Sequence, residues 1–205
     1  MESVATVAKR IGVFGGAFDP PHKAHFVLAQ VAVAELQLDE LRIIPTGQAW
    51  HKVRTLTPAR HRLAMARLAF SDLPQAVIDP RETERTGPSY TVDTLREFKG
   101  NWPNAELFLI IGDDQAKALP TWHNFQEILQ LATICVAARG SLVEIAPKFV
   151  TFQAQESRLI RLTMSPMAVS ATDIRATVAA HQSVLPLVFE PVARYIDQHH
   201  LYQTV

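Results

Sequence analysis

Ile11-Gly12-Val13-Phe14-Gly15-Gly16-Ala17-Phe18-Asp19-Pro20-Pro21-His22-Lys23-Ala24-His25 is the stretch on which the fold turns. Ile11 to Phe14 is short and apolar, as a buried strand is, Gly15 to Pro21 is dense in turn formers, and His22 to Leu38, with few breakers, predicts a helix. Leu41 to Ile44 supplies the next strand. Such a strand–helix–strand unit crosses over right-handedly and leaves its two strands parallel, which begins an α/β sheet.

Outward from that unit the alternation continues. Strands are expected at Ala76 to Ile78, Leu107 to Ile111, Thr133 to Ala137 and Leu159 to Leu162, with helices such as Pro58 to Phe70 and Thr91 to Phe98 between them. After about residue 165 the rhythm stops, because Ser170 to His181 and Pro191 to His199 both read as helices with no strong strand between or after them. The fold class is therefore α/β: a parallel sheet with helices on both faces and a small helical C-terminal appendage. No repeat, low-complexity tract or long Pro/Gly-rich linker divides the chain. Residues 1–205 are expected to form a single domain, with a core over about 10–165 and a helical part over about 166–205. Open parallel sheets bind ligands at the carboxyl ends of their strands near the switch in strand order, which directs attention to the loops after Phe14, Ile44 and Ile111.

Composition narrows the partners. A chain with 48% hydrophobic and 20% charged residues has the balance of an ordinary soluble domain rather than a disordered or fibrous one. Twenty Lys and Arg are matched by twenty Asp and Glu, which leaves no global positive field to hold a nucleic acid by its phosphates. Any bound anion must be gripped locally. The longest apolar run, about Leu131 to Ala138, is far short of the roughly 20 residues of a membrane-spanning helix. Lys9-Arg10 ahead of Ile11 to Phe18 has the outline of a secretory signal, but Gly12, Gly15, Gly16 and Asp19-Pro20-Pro21 interrupt it. Cys135 has neither a disulfide partner nor a CxxC mate; it reads as a buried core residue and suits a reducing compartment. A cytoplasmic protein with no membrane and no nucleic-acid partner is expected, while its oligomeric state, monomer or homo-oligomer, is left open.

Between the first strand and the first helix, Gly15 and Gly16 let backbone N–H groups approach a phosphate closely. The segment matches neither G-x-x-x-x-G-K-[ST] nor G-x-G-x-x-G, so a different phosphate chemistry is needed. His22 and His25 are three apart, on one face of the helix's first turn beside its positive dipole end, where both imidazoles can converge on one anion. The pair also fits a capping or packing role. A metal site would need a third ligand, and H-E-x-x-H is absent.

Taken whole, Gly16-Ala17-Phe18-Asp19-Pro20-Pro21-His22-Lys23-Ala24-His25 resembles the G-x-F-D-P-x-H-x-x-H element of the nucleotidyltransferase superfamily marked by H-x-G-H, with Ala24 in the glycine's place. Val169-Ser170-Ala171-Thr172-Asp173-Ile174-Arg175 resembles that superfamily's I-S-S-T-x-I-R element. Ser170 with Asp173 also has the form of an ordinary helix cap, and only Arg175 calls for a phosphate. The resemblance implies a Rossmann-like fold and an ATP site built from Gly15, Gly16, Phe18, His22, His25, Asp114, Ser170, Thr172 and Arg175.

Three further stretches are similar to the bacterial-type nicotinate-nucleotide adenylyltransferases within that superfamily. Ser89-Tyr90-Thr91-Val92-Asp93-Thr94-Leu95 resembles their S-Y-T-x-D-T-L, where the backbone at a helix start receives the nicotinate carboxylate; an ordinary helix cap is the other reading. After Pro45, His51-Lys52 is similar to an H-K pair in a substrate loop, although Ala49 and Trp50 stand where prolines are usual; Arg62 and Met65 fit a structural R-x-x-M helix. Gly112-Asp113-Asp114 followed by Trp122 resembles a G-x-D at a strand end and a downstream indole that stacks on the pyridine ring, with Asp113 and Gln115 as departures from G-A-D-S. The resemblance thus implies an acceptor site of Ser89, Tyr90, Thr91, Asp114, Trp122 and Lys52.

A phosphate monoester has a second pKa near about 6, so a mononucleotide's phosphate is already an anionic nucleophile at neutral pH and no general base is required. The resemblance implies attack on the α-phosphorus of ATP, with Mg²⁺ arriving on the triphosphate rather than at a protein-held site, and His25, His22, Lys52 and Arg175 as the catalytic set. The partners implied are ATP and nicotinate mononucleotide. The rivals are adenylyl transfer to nicotinamide mononucleotide or phosphopantetheine, and a nucleotide-binding regulator without catalysis, which Ala24 would favour.

Overall fold

The computed structural model describes residues 8–48, 56–137 and 158–203. Its strands are β1 (Arg10–Gly16), β2 (Glu40–Pro45), β3 (Ala76–Ile78), β4 (Glu106–Gly112), β5 (Thr133–Ala137) and β6 (Leu159–Arg161), ordered β3-β2-β1-β4-β5-β6 in one sheet. Every described pairing is parallel. The winding reverses between β1 and β4, so the connections leaving their carboxyl ends part company there and open the crevice that ligands use in Rossmann-like sheets.

Parallel strands need crossovers, and from β1 to β5 helices supply them: α1 (Lys23–Glu35), α2 (Ala59–Ala69), α3 (Arg81–Glu84), α4 (Thr91–Asn101), α5 (Asp113–Ala118) and α6 (Phe125–Leu131), with α7 (Ala171–Ala179) and α8 (Glu190–Gln198) after β6. Side chains alternate across the sheet. On β4, Leu107, Leu109 and Ile111 pack with α4 and α6 through Val92, Leu95, Phe98 and Ile128, whereas Phe108 and Ile110 join the layer of α1 and α2 through Phe26, Ala29 and Met65. Ile174 of α7 and Val192 and Ile196 of α8 belong to that second layer. Fully burying such a side chain contributes roughly 1.5–3 kcal/mol, so the C-terminal helices are part of the core on one face of the sheet. Cys135 on β5 is fully buried; burial pushes its thiol up to about 12, which keeps it protonated and inert.

Two departures from the sequence reading bear on the site. His22 is the N-cap of α1, which then stops at Glu35 rather than Leu38 because Gln37 takes a left-handed φ of 48°. The short helices α3, α5 and α6, of 4, 6 and 7 residues, are additions: a helix of one or two turns is too brief for its apolar spacing to stand out.

Candidate active site

The turn after β1 is fixed through its backbone from several sides. Thr46 N–H donates to Gly16 O at 2.8 Å and the buried Arg62 of α2 to Ala17 O at 3.0 Å, while Arg175 of α7 donates to Asp19 O at 2.8 Å. Phe18 sits at φ 47°, a left-handed conformation costing a residue with a Cβ roughly 1–2 kcal/mol. Burial of its ring offsets that cost: Phe18 is 1% exposed and meets Phe14, Phe70 and His25 edge-on at 5.5, 5.8 and 5.1 Å.

At the start of α1, the extended backbone of His22 sends its N–H to His25 Nδ1 at 3.2 Å. A ring nitrogen that accepts carries no proton, so a neutral His25 keeps its proton on Nε2. The two imidazoles stack with centroids 3.7 Å apart. Burial lowers the pKa of His22 to about 4, which leaves it neutral at pH 7. The capping reading of the pair is met by His25 through Nδ1, and both rings line the cleft.

The shift of His22 has a sign that can be measured. Its pKa is about 4 folded against 6.5 unfolded, so the unfolded chain takes up the proton first and stability falls as pH drops from about 6.5 towards 4. Linkage gives a loss of about 2 kcal/mol between pH 7 and pH 5. Urea unfolding at both pH values is expected to show this loss in wild type and a smaller one in His22→Asn; equal losses would remove His22 as the source.

Across the cleft, Tyr90 is the extended N-cap of α4, whose intrahelical bonds begin with Asp93 N–H to Tyr90 O at 3.1 Å, ahead of which stand the N–H groups of Thr91 and Val92. This helix entry is held by two neighbours. Ser89 N–H donates to Gln48 O at 3.1 Å, and the Thr94 hydroxyl donates at 2.9 Å to Glu82, a residue only 7% exposed whose carboxyl is pushed up by burial and drawn back down by Thr94 and Arg85. Gly47 passes so close that a Cβ there would lie 1.8 Å from Glu82 O. The Tyr90 ring packs on His123 at 4.4 Å, and the half-buried Trp122 leans on the α4/α6 layer while also lining the cleft.

These pieces enclose one cleft of about 960 Å³ at the β1/β4 switch. From the first turn it is lined by Gly15, Gly16, Phe18, His22 and His25, and from the entry to α4 by Ser89, Tyr90 and Thr91. Asp114 and Trp122 line it from beyond β4, and Ser170, Thr172 and Arg175 from α7. Asp114 stands in the first turn of α5 rather than on a bare strand end. Ser170 acts as the cap its pattern suggests, accepting from Asp173 N–H at 3.1 Å, while Thr172 Oγ1 accepts from Arg175 at 3.1 Å. Lys52, with His51, Ala49 and Trp50, lies outside the described residues.

Sequence reasoning missed Thr46, Glu82 and His123, which also line the cleft. Nothing in their local sequence separates them from surface residues; His123 had only its place beside Trp122 as a hint.

The cytidylyltransferase-like family matches residues 13–177. A curated relative from Albidiferax ferrireducens, named probable nicotinate-nucleotide adenylyltransferase, is 68% identical over 96% of this chain and 99% of its own. Another of that name from Methylibium petroleiphilum is 48% identical over 97% and 94%. In fold, the chain is similar to the nicotinic acid mononucleotide adenylyltransferase of Plasmodium falciparum solved with NaAD, with a TM-score of 0.76 at 18% identity, covering 95% of this chain and 97% of that one.

Proposed function

Because the chain belongs to the cytidylyltransferase-like family, and within it to the nicotinate-nucleotide adenylyltransferases, we propose that its cleft joins ATP to a pyridine mononucleotide. It transfers the adenylyl group of ATP to nicotinate mononucleotide, giving nicotinate adenine dinucleotide and pyrophosphate, a step of NAD biosynthesis. One observation carries the assignment to this cleft: a glycine turn with two histidines and Arg175 faces an open helix start and an indole across a single crevice.

In this reading the acceptor's phosphate oxygen attacks the α-phosphorus in line. A new P–O bond forms, the bond from the α-phosphorus to the bridging oxygen breaks, and pyrophosphate leaves with those electrons. The acceptor is mostly ionised at pH 7, so the protein orients and neutralises rather than abstracting a proton. His25, with its proton on Nε2, donates to the triphosphate where negative charge grows; His22, Lys52 and Arg175 complete the catalytic set. The N–H groups of Gly15 and Gly16 and the ring of Phe18 shape the phosphate turn, and Ser170 and Thr172 hold the α7 end of the nucleotide site. Ser89, Tyr90 and Thr91 receive the nicotinate carboxylate at the α4 start, Trp122 stacks on the pyridine, and Asp114 takes sugar hydroxyls.

Mg²⁺ enters as part of the substrate, MgATP; no group of three or more His, Cys, Asp or Glu among the described residues could hold a metal by itself. We read 1–205 as one domain, since α7 and α8 share the apolar cluster of α1 and α2. No helix of the described residues is long and apolar enough to cross a membrane, and a cytoplasmic setting suits the single buried thiol. Pyrophosphate release with MgATP and nicotinate mononucleotide, nicotinamide mononucleotide or phosphopantetheine in turn is expected to be fastest with the first. Turnover confined to phosphopantetheine, or ATP binding without turnover on any acceptor, would overturn the assignment.

A further inference from the structure

Asp19 is a carboxylate only 1% exposed in the wall of a cleft read as holding a polyphosphate. An anion beside another anion repels it, and hydrogen bonds that fix its direction and spread its charge offset part of that cost. Asp19 Oδ1 accepts from the Tyr202 hydroxyl at 2.7 Å, and Oδ2 accepts from Thr57 N–H at 3.2 Å. The backbone carbonyl of the same residue accepts from Arg175 at 2.8 Å. One residue therefore joins three chain segments far apart in sequence, and its side chain and main chain answer to different ones.

We propose that Tyr202 is a positioning residue for adenylyl transfer: by holding the Asp19 carboxylate it fixes the Asp19 carbonyl, and through that carbonyl the Arg175 guanidinium that faces the triphosphate. The inference rests on the reading of this cleft as an ATP site. Tyr202 is itself firmly held. It follows α8, packs against the apolar cluster of α1 and α2, touches Met65 Sδ at 3.9 Å through its hydroxyl, and keeps a left-handed φ of 64° that the packing and the hydrogen bond offset. Burial and the neighbouring Asp19 charge drive its phenol pKa upward, so the hydroxyl stays a donor at any working pH. Arg175 also donates to Thr172 on its own helix, a contact that does not reach the phosphate turn. The bond to Asp19 O ties the guanidinium to that turn.

The test is a double-mutant cycle read in ATP kinetics and in ATP affinity by calorimetry. Tyr202→Phe deletes one O–H and keeps the ring; a lost hydrogen bond to a charged group predicts roughly a tenfold fall in kcat/KM for ATP, with KM for the acceptor unchanged. In an Arg175→Ala background the same substitution is expected to add little, because the group it positions is gone. A merely structural tyrosine would cost the same factor in both backgrounds, and that result, or unchanged ATP kinetics in Tyr202→Phe, overturns the proposal. Wild type that binds ATP yet adenylylates no pyridine mononucleotide defeats the proposed reaction instead, and the calorimetric cycle still decides Tyr202.

Discussion

Replacing His25 with alanine is expected to lower kcat by roughly 10²–10³ while ATP still binds, because a single preorganised donor aimed at developing charge is worth about that much. The structure gives this residue its polarity: His22 N–H occupies Nδ1, which commits the proton to Nε2. Since the acceptor phosphate ionises near about pH 6, losing His25 should lower the whole pH–rate curve rather than remove a limb from it. Alanine also leaves the His22 N–H without its acceptor, so His25→Asn is the control. Its amide oxygen can still take that N–H, which should keep Tm near wild type while turnover stays low. Turnover within a few-fold of wild type in purified His25→Ala would contradict the role.

Gly47→Ala should injure the opposite wall. The new Cβ would lie 1.8 Å from Glu82 O and 2.7 Å from Ser89 Oγ, and the first of these is backbone that cannot swing aside. Either the exit of β2 or the α3–α4 connection must move, at about 2–3 kcal/mol for an overpacked site. In a protein of this size that is a fall in Tm of roughly 5–10 °C. The displaced segment carries Ser89 and Tyr90, so KM for the acceptor should rise more than KM for ATP. Steady-state kinetics in both substrates with a melting curve checks this; an unchanged Tm and acceptor KM would show that the wall is more pliant than its packing indicates.

Much of the fold was legible because buried parallel strands are continuous apolar runs. Thr133–Ala137 matches the sequence reading residue for residue, as does the half-exposed edge strand Ala76–Ile78 by its short apolar run, and the loops after β1, β2 and β4 do line the cleft. Motifs near the first turn and before α7 led to residues that converge, including Arg175 on Asp19. What escaped has physical causes. Helix α5 was hidden because two acidic residues after a strand read as a ligand-facing loop, although acidic groups are also what a helix start favours. Glu82 looked like one more charge in Arg81–Glu84, since the partners that accompany its burial include Thr94, twelve residues on, and the backbone of Gly47. The bond from Tyr202 to Asp19 spans 183 residues, and no local pattern encodes it.

That long span also sets an order of events during synthesis. Translation delivers the glycine turn and His25 early and α7 and Tyr202 late, at about 5–20 residues per second from the amino end. Until α7 and α8 emerge, Asp19 has neither its phenol nor its guanidinium, and part of one apolar layer is bare. A ribosome-held fragment that stops short of α7 would lack both donors that brace Asp19, so its nucleotide pocket would be unbraced whatever the state of the sheet.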